Sequence, residues 1–345
     1  MTRRSLRATA LGLATFLAIA LLISAWHRSS APRPPVAVMD EKLADYAQAA
    51  GTYDIVFLGS SQTFRHVDPA VVDAGLAQCG HPLRSYNFGI PALREPELRY
   101  MAEQIVEAPE KPALVVVQNP IRAETVFSNM MSGRGRYFRG GDHTGAALKD
   151  VQCYTGRRQG QARSLFNNLR VMLAEAFGLG RLAETFVPTD PPEPPTYNEA
   201  YRTNAGFYPV DQDGSDHIVD RLETSPMTAA DLEQGRAGEG FVAPAGSATC
   251  RARQLTETLD LFQAAGVQVA YFVSPAPKDL AHDRPITAAM ADLNPDLPIL
   301  DFNTLDRADR YFDPALWYDA AHMNGAGAAT LSADIAEALC TVMDE

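Results

Sequence analysis

Three short apolar runs, Ile55 to Leu58, Ala113 to Val117 and Val267 to Val273, most constrain what this chain can fold into. None alternates with polar residues as a half-exposed strand does. Ala113 to Val117 is continuous, the mark of a strand covered on both faces, and Val267 to Val273 is broken only at Gln268. Between the runs the spacing turns helical, over Met39 to Gly51, Glu95 to Val106, Ala252 to Ala264 and Ala326 to Val342. Asp68-Pro69 opens a further helix, with an N-cap and a first-turn proline, and its apolar pattern runs to Leu76 before Cys79-Gly80 stops it. Ser85 to Phe88 and Pro298 to Phe302 read as shorter strands. Strands that alternate with helices require a parallel sheet with helices on both sides, so the expected fold is α/β, doubly wound and flavodoxin-like.

The rhythm breaks after Asn119-Pro120 and returns near Cys250, which marks a large insertion at about residues 123–250, too long for a loop of a compact domain. A helix is expected inside it from Ala162 to Phe177. The α/β body as a whole is expected to occupy residues 39–345.

Residues 1–28 stand apart. Arg3, Arg4 and Arg7 precede the uncharged stretch Ala8 to Trp26, 19 residues that can just cross a bilayer. A transmembrane helix that anchors the chain to the inner (cytoplasmic) membrane is the expectation. A cleaved signal peptide ending at Ser29-Ser30-Ala31 is the alternative. Residues 29–38, rich in proline, read as a stalk. In either case the arginines hold the N-terminus inside and the remaining chain is exported to the extracytoplasmic (periplasmic) side.

The leading segment carries four of the 30 basic residues and none of the 42 acidic ones, so the exported part stands at −16. Nucleic acid is excluded as a natural partner by that charge. Cys79, Cys153, Cys250 and Cys340 all lie in the exported part, where an even count suggests two disulfides, with three pairings open and ordinary buried thiols as the other reading. Cys79 and Cys340 close the first and last helices of the α/β body on the same side of the expected sheet. That favours a Cys79–Cys340 bridge and leaves Cys153 with Cys250. No cysteine or histidine spacing suits zinc, and neither a metal nor a cofactor is expected.

The chemistry lies at two distant points. Ile55 to Leu58 runs into Gly59-Ser60-Ser61, a small-residue turn that can expose a hydroxyl, and Tyr318-Asp319-Ala320-Ala321-His322 offers Asp-x-x-His on a loop before the last helix. Serine, histidine and aspartate together are the material of acyl transfer through a serine ester. Ser61, Gly89, Asn119 and the Asp319/His322 loop all fall at carboxyl ends of expected strands, where parallel α/β sheets place their sites. Read singly, Ser61 is also a plain turn or phosphate-binding residue, His322 a surface histidine and Asp319 a helix cap. Arg134, Arg136, Tyr137, Phe138, Arg139 and His143 read either as a groove for a sugar or anionic polymer or as a solvated loop.

Gly59-Ser60-Ser61, Gly89, Asn119 and Asp319-x-x-His322, with Asn324-Gly325-Ala326-Gly327-Ala328 after it, resemble in order the four blocks of the SGNH (GDSL-type) hydrolase superfamily. The resemblance covers residues 50 to 125 and 250 to 345, roughly. Ser60 replaces the family's aspartate, and Val117-Gln118-Asn119-Pro120 keeps only the asparagine of the third block. The resemblance implies Ser61 as nucleophile, His322 as base, Asp319 as its orienting partner, and an oxyanion hole from the Ser61 and Gly89 amides and the Asn119 side chain. With the anchor and the Gly-Ser-Ser variant, the chain is most similar to exported SGNH-like proteins of cell-surface O-acylation. That similarity implies a polysaccharide O-acetyltransferase or O-acetylesterase with an acyl donor, served by a membrane-bound O-acyltransferase. From another class, a non-catalytic glycan-binding or scaffold subunit of an export complex also fits the altered first and third blocks.

Overall fold

A computed structural model describes residues 3–30, 36–49, 51–118, 133–140, 143–155, 158–176, 199–212 and 224–344. Its centre is a five-stranded parallel sheet of β1 (Ile55–Gly59), β2 (Ser85–Gly89), β3 (Leu114–Gln118), β4 (Gln268–Val273) and β5 (Ile299–Asp301). The strand order β2-β1-β3-β4-β5 is that of a doubly wound α/β sheet.

Alternation along each strand decides the packing. Val56, Leu58, Val115, Val117 and Tyr271 face one core, built with α2 (Ala37–Gln48), α5 (Glu95–Glu107) and α9 (Ala245–Ala264). Ile55, Phe57, Val116, Ala270 and Phe272 face the other, built with α4 (Pro69–Gln78) and α11 (Gly325–Asp344). Every residue of β1, β2 and β3 is buried, which is why Ile55 to Leu58 and Leu114 to Val117 read as unbroken apolar runs, while β2 buries Ser85 and Asn87 among its residues.

Local signals set the helix ends. Asp68 accepts the Ala70 amide at 2.9 Å at the start of α4, and Gly80 follows its end at φ 93°, a conformation glycine adopts without strain. Two helices of the α/β body are not foreseen in the sequence. α3 (Ser61–His66) follows β1 directly, and α10 (Leu280–Leu293) joins β4 to β5 with Pro285 inside it. The expected helix at Ala162 begins earlier, as α8 (Arg158–Ala176). The described parts of the β3–β4 connection also include α6 (Gly133–Tyr137) and α7 (Thr144–Gln152). Residues 204–208 cover the outer edge of β2, where Ala205 accepts the Asn87 amide at 2.8 Å and so occupies an edge that would otherwise be open to pairing.

Cys79 is bonded to Cys340 and Cys153 to Cys250, with Cα separations of 6.3 and 5.0 Å. The two bridges fit an oxidising compartment. α1 (Arg3–Ser30) contains the apolar span Ser5–Trp26, long enough to cross a membrane as an anchor or to serve as a signal sequence. α11 passes the same test of length and hydropathy, but its Leu331, Ile335 and Leu339 are packed in the core against α4.

A buried polar knot joins α5, α7 and α9. Thr258 donates to Glu95 at 3.0 Å, and the Arg251 guanidinium lies 3.0 Å from Asp150 and 3.8 Å from Glu95. Burial raises the Glu95 carboxyl to about 7, with Arg251 opposing the rise. Its folded value lies above the unfolded one, so folding takes up a proton between pH 4.5 and about 7. The stabilisation is complete at the acid end and is lost as pH rises through that window. Glu95→Gln removes this dependence. In urea unfolding, the stability of the native chain relative to the variant is expected to fall by about 3 kcal/mol across the window.

Candidate active site

β1 ends at Gly59, and the chain turns straight into α3. Ser60 is its N-cap in extended backbone, with φ −87° and ψ −160°, and its hydroxyl accepts the Gln62 amide at 3.3 Å. Ser61 is therefore the first helical residue, half-buried, with its hydroxyl reachable from the carboxyl edge of the sheet. Gly59 has no room for a side chain, since an added Cβ would lie 2.1 Å from Thr63 Oγ1 and 2.5 Å from Gln118 Oε1.

Asp319 and His322 face each other across a small antiparallel hairpin, β6 (Trp317–Asp319) and β7 (His322–Met323), rather than lying on a free loop. The Asp319 carboxylate is fully buried and accepts the Ala321 amide at 2.8 Å and the His322 amide at 2.9 Å. It also lies 2.9 Å from His322 Nδ1 through each oxygen. Nδ1 carries the proton in that arrangement, which leaves Nε2 free to accept. Nε2 lies 2.9 Å from Ser61 Oγ, across 261 residues of sequence. The arrangement can draw the proton from a serine hydroxyl and hold the resulting imidazolium against a carboxylate.

Four further side chains hold this geometry, and sequence reasoning missed them. His66, at the end of α3, accepts the Met323 amide on Nε2 at 2.9 Å and donates from Nδ1 to Ser274 at 2.7 Å, so it clamps the residue next to His322. Burial, together with the neighbouring His322 and Arg65, holds its pKa well below the usual histidine range, and it stays neutral. Gln118 Oε1 accepts the Ser60 amide and hydroxyl at 2.8 and 3.0 Å and the Thr63 hydroxyl at 2.7 Å, while its Nε2 donates to Gln62 at 2.6 Å. Asn87 donates to the Thr63 and Val67 carbonyls, both at 2.6 Å, from beneath α3. Fully buried Lys42 donates to the carbonyls of Asn87 and Gly89 at 2.7 and 2.8 Å, and burial depresses its pKa strongly. Each is a buried polar group that requires partners, but Lys42 and His66 stand among other polar residues and nothing in the sequence signals their burial.

Gln118→Leu keeps the bulk and removes the acceptor. The variant leaves the Ser60 and Thr63 donors unpaired, and about 1–3 kcal/mol of stability is expected to be lost. In ester turnover, kcat should fall more than KM rises, because the displaced element carries Ser61.

The expected oxyanion donors fare differently. The Ser61 amide has no acceptor among the described residues. The Gly89 amide is not available, because it donates to Asn87 Oδ1 at 2.9 Å. Gly89 lacks a side chain for another reason: an added Cβ would lie 2.1 Å from the Phe64 amide nitrogen, so the residue lets α3 settle on β2. Asn119 lies outside the described residues.

The arginine-aromatic cluster is not a solvated groove. Arg134 clasps Glu97 with two bonds of 2.8 Å, Phe138 is fully buried, and Arg139 donates to Asn168 at 3.0 Å and to the Gly135 carbonyl at 3.2 Å. These side chains tie α6 and the turn after it to α5 and to α8. An open pocket of about 320 Å³ does lie beside the Asp319/His322 hairpin, lined by Gln62, Ser225, Ala276, Lys278, Asp319 and Ala320 among others.

No family model, curated protein or solved structure matches the chain.

Proposed function

We propose that the protein is a membrane-anchored, extracytoplasmic serine acyl-transfer enzyme of the SGNH type, acting on O-acetyl groups of a cell-surface or exported polysaccharide. The observation that carries the reading is the contact of Ser61 Oγ with His322 Nε2 at 2.9 Å, with buried Asp319 on the other ring nitrogen. Ser61 Oγ attacks the acyl carbonyl as its proton passes to His322 Nε2. The imidazolium, held by Asp319, returns the proton to the leaving oxygen as the carbonyl to leaving-group bond breaks, and an acetyl ester remains on Ser61. A sugar hydroxyl or water then gives its proton to His322, attacks the ester and releases Ser61. The Ser61 amide is one donor for the oxyanion, and the Asn119 side chain is proposed as another.

The substrate class is supported by the resemblance of the Gly-Ser-Ser and Asp-x-x-His blocks to exported O-acylation proteins, together with the apolar N-terminal helix and the two disulfides. A membrane-bound O-acyltransferase is the proposed source of acyl groups. The test is NMR of an acetylated polysaccharide and its deacetylated form, each incubated with the full chain and an activated acetyl ester. Acetyl groups are expected to move to sugar hydroxyls or to water in a His322-dependent way. If neither ester nor polymer changes, the protein is a glycan-binding or scaffold subunit instead.

A further inference from the structure

Helix α8 carries an apolar face that stays exposed among the described residues. Ser164, Asn168, Val171 and Glu175 are its buried side, turned to the protein. Leu165, Phe166, Leu169 and Leu173 are 42%, 67%, 45% and 57% exposed. At 3.6 residues per turn these four fall within an arc of about 100°. Exposed Arg163 and Arg170 lie along one rim of that arc. Scattered exposed leucines need no explanation, but a contiguous stripe on one helix marks an interaction surface.

The surroundings name the occupant. The C-terminal end of α8 touches α1, where the Ser24 hydroxyl donates to the Glu175 carbonyl at 3.2 Å. Ser24 is buried by this contact and lies two residues before Trp26, the end of the apolar span. α8 thus meets α1 at the depth where a spanning helix leaves the hydrocarbon, with a tryptophan at the boundary. An apolar arc bordered by arginines, on a helix held at that depth, has the build of an interfacial helix. We propose that α8 lies in the outer surface of the membrane that α1 enters, with Leu165, Phe166, Leu169 and Leu173 among the acyl chains and Arg163 and Arg170 at the lipid phosphates. The exported part is acidic overall at −16. The contact is therefore local and depends on apolar burial, with the arginines matching the lipid phosphates. The inference goes beyond the catalytic reading and does not use it. It requires only that α1 stays attached, which intact-mass measurement of the purified chain establishes first.

The test uses the full chain in nanodiscs of phosphatidylcholine and phosphatidylglycerol, with a nitroxide label at Leu169→Cys and, as a reference, at exposed Glu233→Cys. All four native cysteines are in disulfides, so the introduced thiol takes the label. Power-saturation EPR should show the label on α8 relaxed mainly by oxygen, which concentrates in the bilayer, and the reference mainly by a polar nickel chelate. A label on α8 that is as open to nickel as the reference overturns the proposal. Exclusion of both reagents also overturns it and assigns the stripe to a second copy or another protein.

Discussion

Ser61→Ala is expected to lower kcat for ester turnover by on the order of 10⁴ to 10⁶ while leaving the fold intact. Ser61 is half-buried and the described bond of its hydroxyl is to His322 alone, so the substitution removes one contact of the His322 ring and no bond that holds the backbone. His322→Ala should cost a similar factor. The double variant should lose little more than either single one, because the residues act as one unit and its first loss removes the function of the rest. Purified variants compared in one esterase assay give all three ratios. Losses that multiply would mean that the two side chains contribute separately and that their 2.9 Å contact is not the catalytic one.

The largest effect on stability is expected from the bridge that ties α4 to α11. Cys79 and Cys340 are 261 residues apart, so the bond removes much freedom from the unfolded chain. The two helices are also in close contact, an added Cβ on Gly75 lying 2.6 Å from that of Ala336. Replacing both cysteines by alanine should cost about 3–5 kcal/mol in urea unfolding. The Cys153–Cys250 bridge spans 97 residues, and its removal should cost about 1 kcal/mol less on loop-closure grounds. Equal midpoints for the native chain and the Cys79→Ala/Cys340→Ala variant would show that the packed interface, not the bond, holds α11 in place.

How much of this was legible in the sequence follows from what each element buries. β1, β3 and β4 are plain because both of their faces are covered and, apart from Gln118 at the end of β3 and exposed Gln268 at the start of β4, their positions are apolar or aromatic. α3 is not, since six residues with a serine cap show no apolar period. α10 was hidden by Pro285, which argues against a helix wherever a preceding carbonyl needs its bond. The Asp319/His322 hairpin was read as a loop because strands of three and two residues carry no alternation.

The site divides in the same way. Ser61, Asp319 and His322 could be named from residue type and position at strand ends, and the fold brings them within hydrogen-bonding distance. Gly89 was named for an amide that Asn87 in fact occupies, and no spacing rule foretells which of two neighbours takes a donor. Gln118 escaped notice beside Asn119 because its role lies in four donors arriving from the start of α3, a matter of geometry alone. Arg134 and Arg139 looked like surface cations until their carboxylate and amide partners came from other helices.

The most direct test of the central claim is to trap the acyl-enzyme. The full chain is mixed with an activated acetyl ester, quenched in acid, and analysed by intact-mass and peptide mass spectrometry beside Ser61→Ala. One acetyl group on the peptide that contains Ser61, absent from the variant, is the predicted result. Ester consumption with no adduct on that peptide, or an identical adduct in the variant, would contradict the assignment of Ser61 as nucleophile.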